Sequence, residues 1–218
     1  GDMRSLDEAT AILSSRNFVD HLSKHQGFVE SIIASQKYDK KNKQIIFDES
    51  IYDKKNNIWL RDKTNYESVI PSNEEIHKKL HDEILTIKVD QRSGFMTISA
   101  KHLSPVFAHD LIRILVADLN KIVKEYEITR SQKALENLRE KFSNEKIDDI
   151  RTSLINLMEI QLSNIVFATI DENYLVRYID EPYVPIQKFR PSRLFITILG
   201  GIIGAFIGLF ISIYFSRK

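Results

Sequence analysis

Few residues in this 218-residue chain have types and spacing that could do chemistry. His21 and His25 lie four apart, as do His77 and His81. On a helix that spacing can put two imidazoles on one metal ion. Two nitrogens alone make a poor site, and neither pair has an evident third ligand, so exposed helix histidines are expected. Asp148 and Asp149 could form a metal-binding carboxylate pair, but adjacent helical positions point about 100° apart, which predicts a solvated helix start. Lys40-Lys41 and Lys54-Lys55 read as loop solvation, with contact to acidic glycan or anionic lipid as the alternative. Trp59, the only tryptophan, reads as a local packing anchor. Cysteine is absent, which removes disulfides and thiolate metal sites. Glycine occurs only at positions 1, 27, 94, 200, 201, 204 and 208. That distribution leaves no GxxxxGK[ST] or GxGxxG phosphate cradle and no GxSxG elbow. The chain is therefore expected not to be an enzyme, with no catalytic, cofactor-binding or metal residues and no cofactor. A net charge of +1, from 31 basic and 30 acidic residues, gives no electrostatic case for nucleic acid.

The last stretch has a different chemistry. Leu194–Phe215 is 22 residues without a charge. At about 1.5 Å per residue it spans roughly 33 Å, enough for a hydrocarbon core of about 30 Å. A transmembrane helix is expected over 194–215, followed by a short tail at 216–218. Gly200, Gly204 and Gly208, with Gly201 alongside, make a strip of small residues that lets a second helix approach. The flanking charges Lys188, Arg190 and Arg193 on one side and Arg217 and Lys218 on the other do not decide orientation.

The remaining elements must support that stretch. Leu6, Ala9, Ile12, Leu13, Phe18, Val19 and Leu22 predict one amphipathic helix over Leu6–His25, with a one-residue skip near Arg16. A second short helix is expected over Phe28–Ser35. Gln36–Tyr66 is polar and rich in Lys and Asn, and reads as a long surface connection with short helical or extended pieces. Ser72 is the expected N-cap of the next helix, with Glu75 completing a capping box. Leu85, Ile87 and Val89, then Met96, Ile98 and Ala100, alternate across a loop ending in Gly94, the pattern of a β-hairpin. Ser104-Pro105 opens a helix of about 37 residues, roughly 55 Å long. Ser143-Asn144 breaks it. Ile147–Thr169 is helical again and can run back along it, with Ile150, Leu154, Leu157, Met158, Gln161 and Ile165 on one side. Tyr174–Ile179 reads as a final strand. Pro182, Pro185 and Pro191 then hold the chain extended. No repeat is apparent. The order predicts an α+β fold: a small sheet flanked by helices, a long protruding helical hairpin and one C-terminal transmembrane helix. The expected divisions are a base over 1–103, an arm over 104–170, and a final strand and proline-rich approach over 171–193.

Several of these residues carry a family resemblance. Glu181-Pro182, Pro185 and Arg190-Pro191-Ser192-Arg193, directly before a glycine-rich span, resemble the Wzz-type chain-length determinants, the polysaccharide co-polymerases. Leu13, Ser15, Arg16 and Phe18 resemble the family's early L-x-S-R-x-F helix. Arg92–Ser99 with Gly94, then Ser104-Pro105, Ala108 and Leu119-Asn120, resemble its hairpin and long-helix start. The resemblance covers about Leu6 to the end.

The resemblance implies a periplasmic domain between two inner-membrane helices, so a first span is expected to precede the sequence given. It also implies a ring-like homo-oligomer beside the polymerase of O-antigen, lipopolysaccharide or a related glycan, with lipid-linked glycan as a further partner. In that setting the chain would set the modal chain length without catalysis. Three alternatives stay open: the membrane-activator half of a bacterial tyrosine kinase system, a capsule polysaccharide export adaptor, and a tail-anchored helical protein facing the cytoplasm.

Overall fold

The computed structural model describes residues 3–62, 66, 68–184, 197, 198 and 200–204. Residues 1–182 and 183–218 form two separate units.

The first unit begins with α1 (Met3–Leu13) and α2 (Arg16–Leu22). The single helix expected over Leu6–His25 is two. Ser15 ends the register of the first and caps the second, its Oγ accepting the Phe18 N–H at 3.1 Å. That break accounts for the skip near Arg16 and lets Ala9 and Leu13 face the same core as Phe18, Val19 and Leu22. Gly27, at φ +78°, turns the chain into α3 (Phe28–Ile33), a left-handed backbone that glycine adopts without Cβ strain.

The stretch expected as a surface connection with short helical or extended pieces is mostly hairpin. Strands β1 (Ser35–Asp39) and β2 (Gln44–Phe47) pair antiparallel, as do β3 (Tyr52–Asp53) and β4 (Ile58–Trp59). They are built from one repeated phrase. Tyr-Asp-Lys-Lys-Asn stands at 38–42 and again at 52–56, which corrects the reading that no repeat exists. Asp39 accepts from Lys41 N at 2.9 Å, Asn42 N at 3.3 Å and Asn42 Nδ2 at 2.7 Å. Asp53 accepts from Lys55 N at 2.8 Å, Asn56 N at 3.3 Å and Asn56 Nδ2 at 2.7 Å. Lys43 and Asn57 close the two turns at φ +53° and +55°. These side-chain turns fix the chain reversal without glycine. They also place Trp59 on Tyr52, ring centroids 4.9 Å apart, as the local anchor expected.

Next come α4 (Asn73–Lys79), a π-helical turn over Leu80–Ile84, β5 (Leu85–Asp90) and β6 (Phe95–Ala100). Half of the expected capping box forms. Ser72 Oγ accepts the Glu75 N–H at 3.2 Å, while the Glu75 carboxylate takes Arg61 Nη2 at 2.7 Å. The expected β5–β6 hairpin forms, with Ile87 opposite Ile98 and Val89 opposite Met96. Its turn repeats the aspartate device: Asp90 accepts from Arg92 N and Ser93 Oγ, and Gly94 sits at φ +68°. Among the described residues, the one small sheet expected is thus three separate two-stranded hairpins.

Helix α5 (Pro105–Asn144) runs 40 residues, capped by Ser104, and α6 (Asp148–Ile170) runs 23. They touch at both ends. Lys124 Nζ donates to the Thr169 carbonyl at 3.1 Å, and the Arg151 guanidinium lies 4.1 Å from the Phe142 ring centre. The base core does not stop at residue 103, because Leu111, Leu115, Leu119 and Val123 of α5 are part of it. Among the described helices, α6 alone is long and apolar enough to cross a membrane, by length and composition.

No strand forms over Tyr174–Ile179. The segment is held by one side chain. Asn120 Oδ1 accepts from Leu175 N and Val176 N, each at 2.9 Å, and Asn120 Nδ2 donates to the Val176 carbonyl at 2.8 Å. Asn120, 3% exposed, does for this backbone what a neighbouring strand would do. In the second unit, Thr197, Ile198 and Gly200–Gly204 are helical. The rest of the expected 194–215 span, with Gly208, Pro185, Arg190, Pro191 and Arg193, lies outside the described residues.

Candidate functional site

The first histidine pair gains a third member from a distant element. His21 lies on α2, and His25 in the turn after it, where its N–H bonds the Leu22 carbonyl at 3.0 Å. That turn continues the helical spacing, so both rings leave the same side. Helix α5 supplies Asp118, between Leu115 and Leu119 on the face that packs into the base. The two imidazoles converge on one carboxylate oxygen. His25 Nε2 stands 2.6 Å from Asp118 Oδ2, and His21 Nε2 stands 3.3 Å from the same atom. The rings are 6.3 Å apart and nearly perpendicular, at 75°. The Asp118 side chain is 12% exposed, against 34% for His21 and 39% for His25. A carboxylate set this deep is stable only if paired or hydrogen-bonded, and among the described residues the partners are these imidazoles. By spacing neither pair has an evident third ligand; beside His21 and His25 the fold places Asp118 as a candidate third donor. All three donor atoms lie within 4.8 Å of one another.

The second pair is arranged otherwise. His77 Nε2 donates to the Ser14 carbonyl at 2.9 Å, and its ring leans on His81 at 4.5 Å. Burial, with the His77 charge second, lowers the His81 pKa below its ordinary value, and its Nε2 has no hydrogen-bond partner among the described residues. These rings cement α4 to the end of α1. A similar joint forms where α5 begins. His102 Nε2 donates to the Ser31 carbonyl at 2.9 Å, and Ser104 N donates to His102 Nδ1 at 3.1 Å. Those two bonds define a neutral ring, and burial holds its pKa down.

The other expected sites resolve as structure. Asp148 and Asp149 lie exposed in the first turn of α6, where their charge favours the helix N-terminus. The lysine pairs sit in the two repeated turns. Of the residues carrying the resemblance, Ser15 and Ser104 are N-caps, Pro105 is the first helical residue, Phe18 is 2% exposed in the core, and Gly94 closes a turn. Arg16 makes an exposed 3.6 Å ion pair with Glu74. Asn120 is the clip, and Pro182 ends the first unit. A Cβ built on Gly200, Gly201 or Gly204 meets nothing within 4 Å. Asp118 and the joining role of Asn120 were missed in the sequence. The signal for both was a polar residue amid the Leu111, Leu115, Leu119 stripe.

A shallow cleft between the end of α5 and the start of α6 is lined by Asn137, Glu140, Lys141, Glu145 and Leu154. It holds no grouping of base, nucleophile and acid.

No protein-family model, no curated protein and no solved structure matches this chain.

Proposed function

We propose that this chain is a non-enzymatic regulator of polysaccharide chain length in the bacterial inner membrane. It would act as an oligomeric scaffold beside the polymerase, with most of its length in the periplasm. The observation that carries the reading is the α5–α6 pair. Leu154 and Ala168 of α6 are buried, while Ile155, Ile160, Leu162, Val166 and Phe167 are 42–65% exposed. A helix apolar on all sides with one side covered calls for further cover. Neighbouring copies standing side by side supply it in a ring, and the element order already read as family-like agrees.

Membrane burial is the other cover that length allows for α6. Its partner argues against that. Beyond Val123, α5 carries Lys124, Glu125, Glu127, Arg130, Lys133, Glu136, Arg139 and Glu140. Each charge at the bilayer centre costs at least about 2.5 kcal/mol, and α5 lies against α6 along that length.

The reading is tested in cells lacking the gene, complemented with wild type or with Gly204→Leu, by resolving surface glycan on gels. Wild type should restore a narrow length distribution. Gly204→Leu should broaden it, because nothing in the described chain crowds Gly204 and the larger side chain would obstruct only a partner helix. Unchanged glycan length on deletion overturns the proposal. Loss of surface glycan at normal length points instead to an export adaptor, and phosphotransfer by a neighbouring chain to a kinase activator.

A further inference from the structure

The structure assigns His21, His25 and Asp118 to a divalent transition-metal site, with zinc as the best match. Two imidazole nitrogens and one carboxylate oxygen form a donor set that zinc, nickel and copper accept, and that magnesium and calcium do not favour. One of the three donor separations already suits the assignment. Tetrahedral zinc with ligands at about 2.0–2.1 Å separates neighbouring donors by about 3.3 Å. His21 Nε2 and Asp118 Oδ2 are already 3.3 Å apart. His25 Nε2 and Asp118 Oδ2, at 2.6 Å, are joined by a direct hydrogen bond, and a metal ion between them would take its place. Opening this pair takes a small rotation of His25, which stands in a turn with 39% of its side chain exposed. Three protein ligands leave the fourth position to water from the exposed side.

The depth of the site is unequal in a way that suits a metal. Asp118 is fixed on the rigid face of a 40-residue helix, among buried leucines. The two histidines are the adjustable members, and no lysine or arginine pairs with Asp118 among the described residues. The ligands lie 93 residues apart in sequence. A bound ion would therefore pin α2 to α5, and its binding energy would add to the stability of the base.

The test uses the full chain in detergent, stripped with chelator and dialysed against zinc sulphate at neutral pH. One zinc per chain should remain by elemental analysis. Cobalt in its place should give the visible absorption of a four-coordinate ion. Zinc should raise the thermal midpoint by several degrees. His21→Gln and Asp118→Asn should each weaken binding at least tenfold and abolish the thermal shift, while His77→Gln should change neither. Should Asp118→Asn fail to fold, His21→Gln decides, since that side chain is 34% exposed. Binding well below one equivalent, or His21→Gln binding like wild type, leaves a histidine–carboxylate hydrogen bond only and overturns the site. Neither result bears on glycan length, so this site and the scaffold reading stand or fall separately.

Discussion

The base and α6 hold similar side chains and treat them oppositely. In the base, Leu13, Leu22, Ile32, Leu80, Leu115 and Leu119 are at most 2% exposed, packed between α1–α4 and the first half of α5. On α6, Ile160 and Phe167 are 53% and 65% exposed. The difference separates a region whose apolar side chains are covered within the described chain from one whose apolar side chains are not. Composition alone makes both look like core, since apolar side chains are buried wherever neighbours exist to bury them.

Truncation gives the largest contrast. Leu115→Ala should cost about 2–5 kcal/mol in urea or thermal unfolding of the full chain, from lost burial and the cavity left. Ile160→Ala in dilute detergent should change stability by no more than about 0.5 kcal/mol. Equal losses would mean that α6 is covered within its own chain, and the comparison would break.

Asn120→Ala sharpens the boundary between the two regions. It strips partners from Leu175 N, Val176 N and the Val176 carbonyl. A loss of about 2–3 kcal/mol is expected, with faster amide exchange at Leu175 and Val176. Exchange that stays slow would show that packing, and not the clip, holds the segment.

The smallest effect is a pH slope confined to the base. Burial lowers the His102 and His81 pKa values from the ordinary 6.5. The unfolded chain then takes up protons that the folded chain refuses, so acid favours unfolding. Their contribution is complete above about pH 6.5 and falls as pH drops below it. His102→Gln, whose amide can still donate to Ser31, should reduce the slope of thermal midpoint against pH between about 6.5 and 5. An identical slope would exclude His102 as its source.

Legibility follows the range of the interaction. The β5–β6 hairpin could be read because alternation and a turn glycine are local. Helix α5 could be read because Ser104-Pro105 caps it and nothing inside breaks it. Ser15 was legible only as a flaw in periodicity, since one cap divides two helices with a common face. The hairpins over 35–59 were hidden by charge. Their turns are built from Asp, Lys and Asn, which also compose a solvated loop, although the repeated phrase was there to see. Tyr174–Ile179 has the composition of a strand, and strand propensity cannot distinguish a ladder from a side-chain clip. For the histidine site, i and i+4 gave two ligands. The third comes from 93 residues away, a distance no spacing rule spans.

The repeated turn carries a consequence for chain length. Tyr38 and Tyr52 begin the same five-residue phrase, so removing residues 38–51 would join Lys37 to Tyr52 in register. The product keeps one whole Tyr-Asp-Lys-Lys-Asn turn, with its aspartate, its asparagine and a residue able to close it. Inserting a further copy of those fourteen residues would add another turn. This part of the chain can therefore change length in whole hairpins, each arriving with its own means of reversing direction.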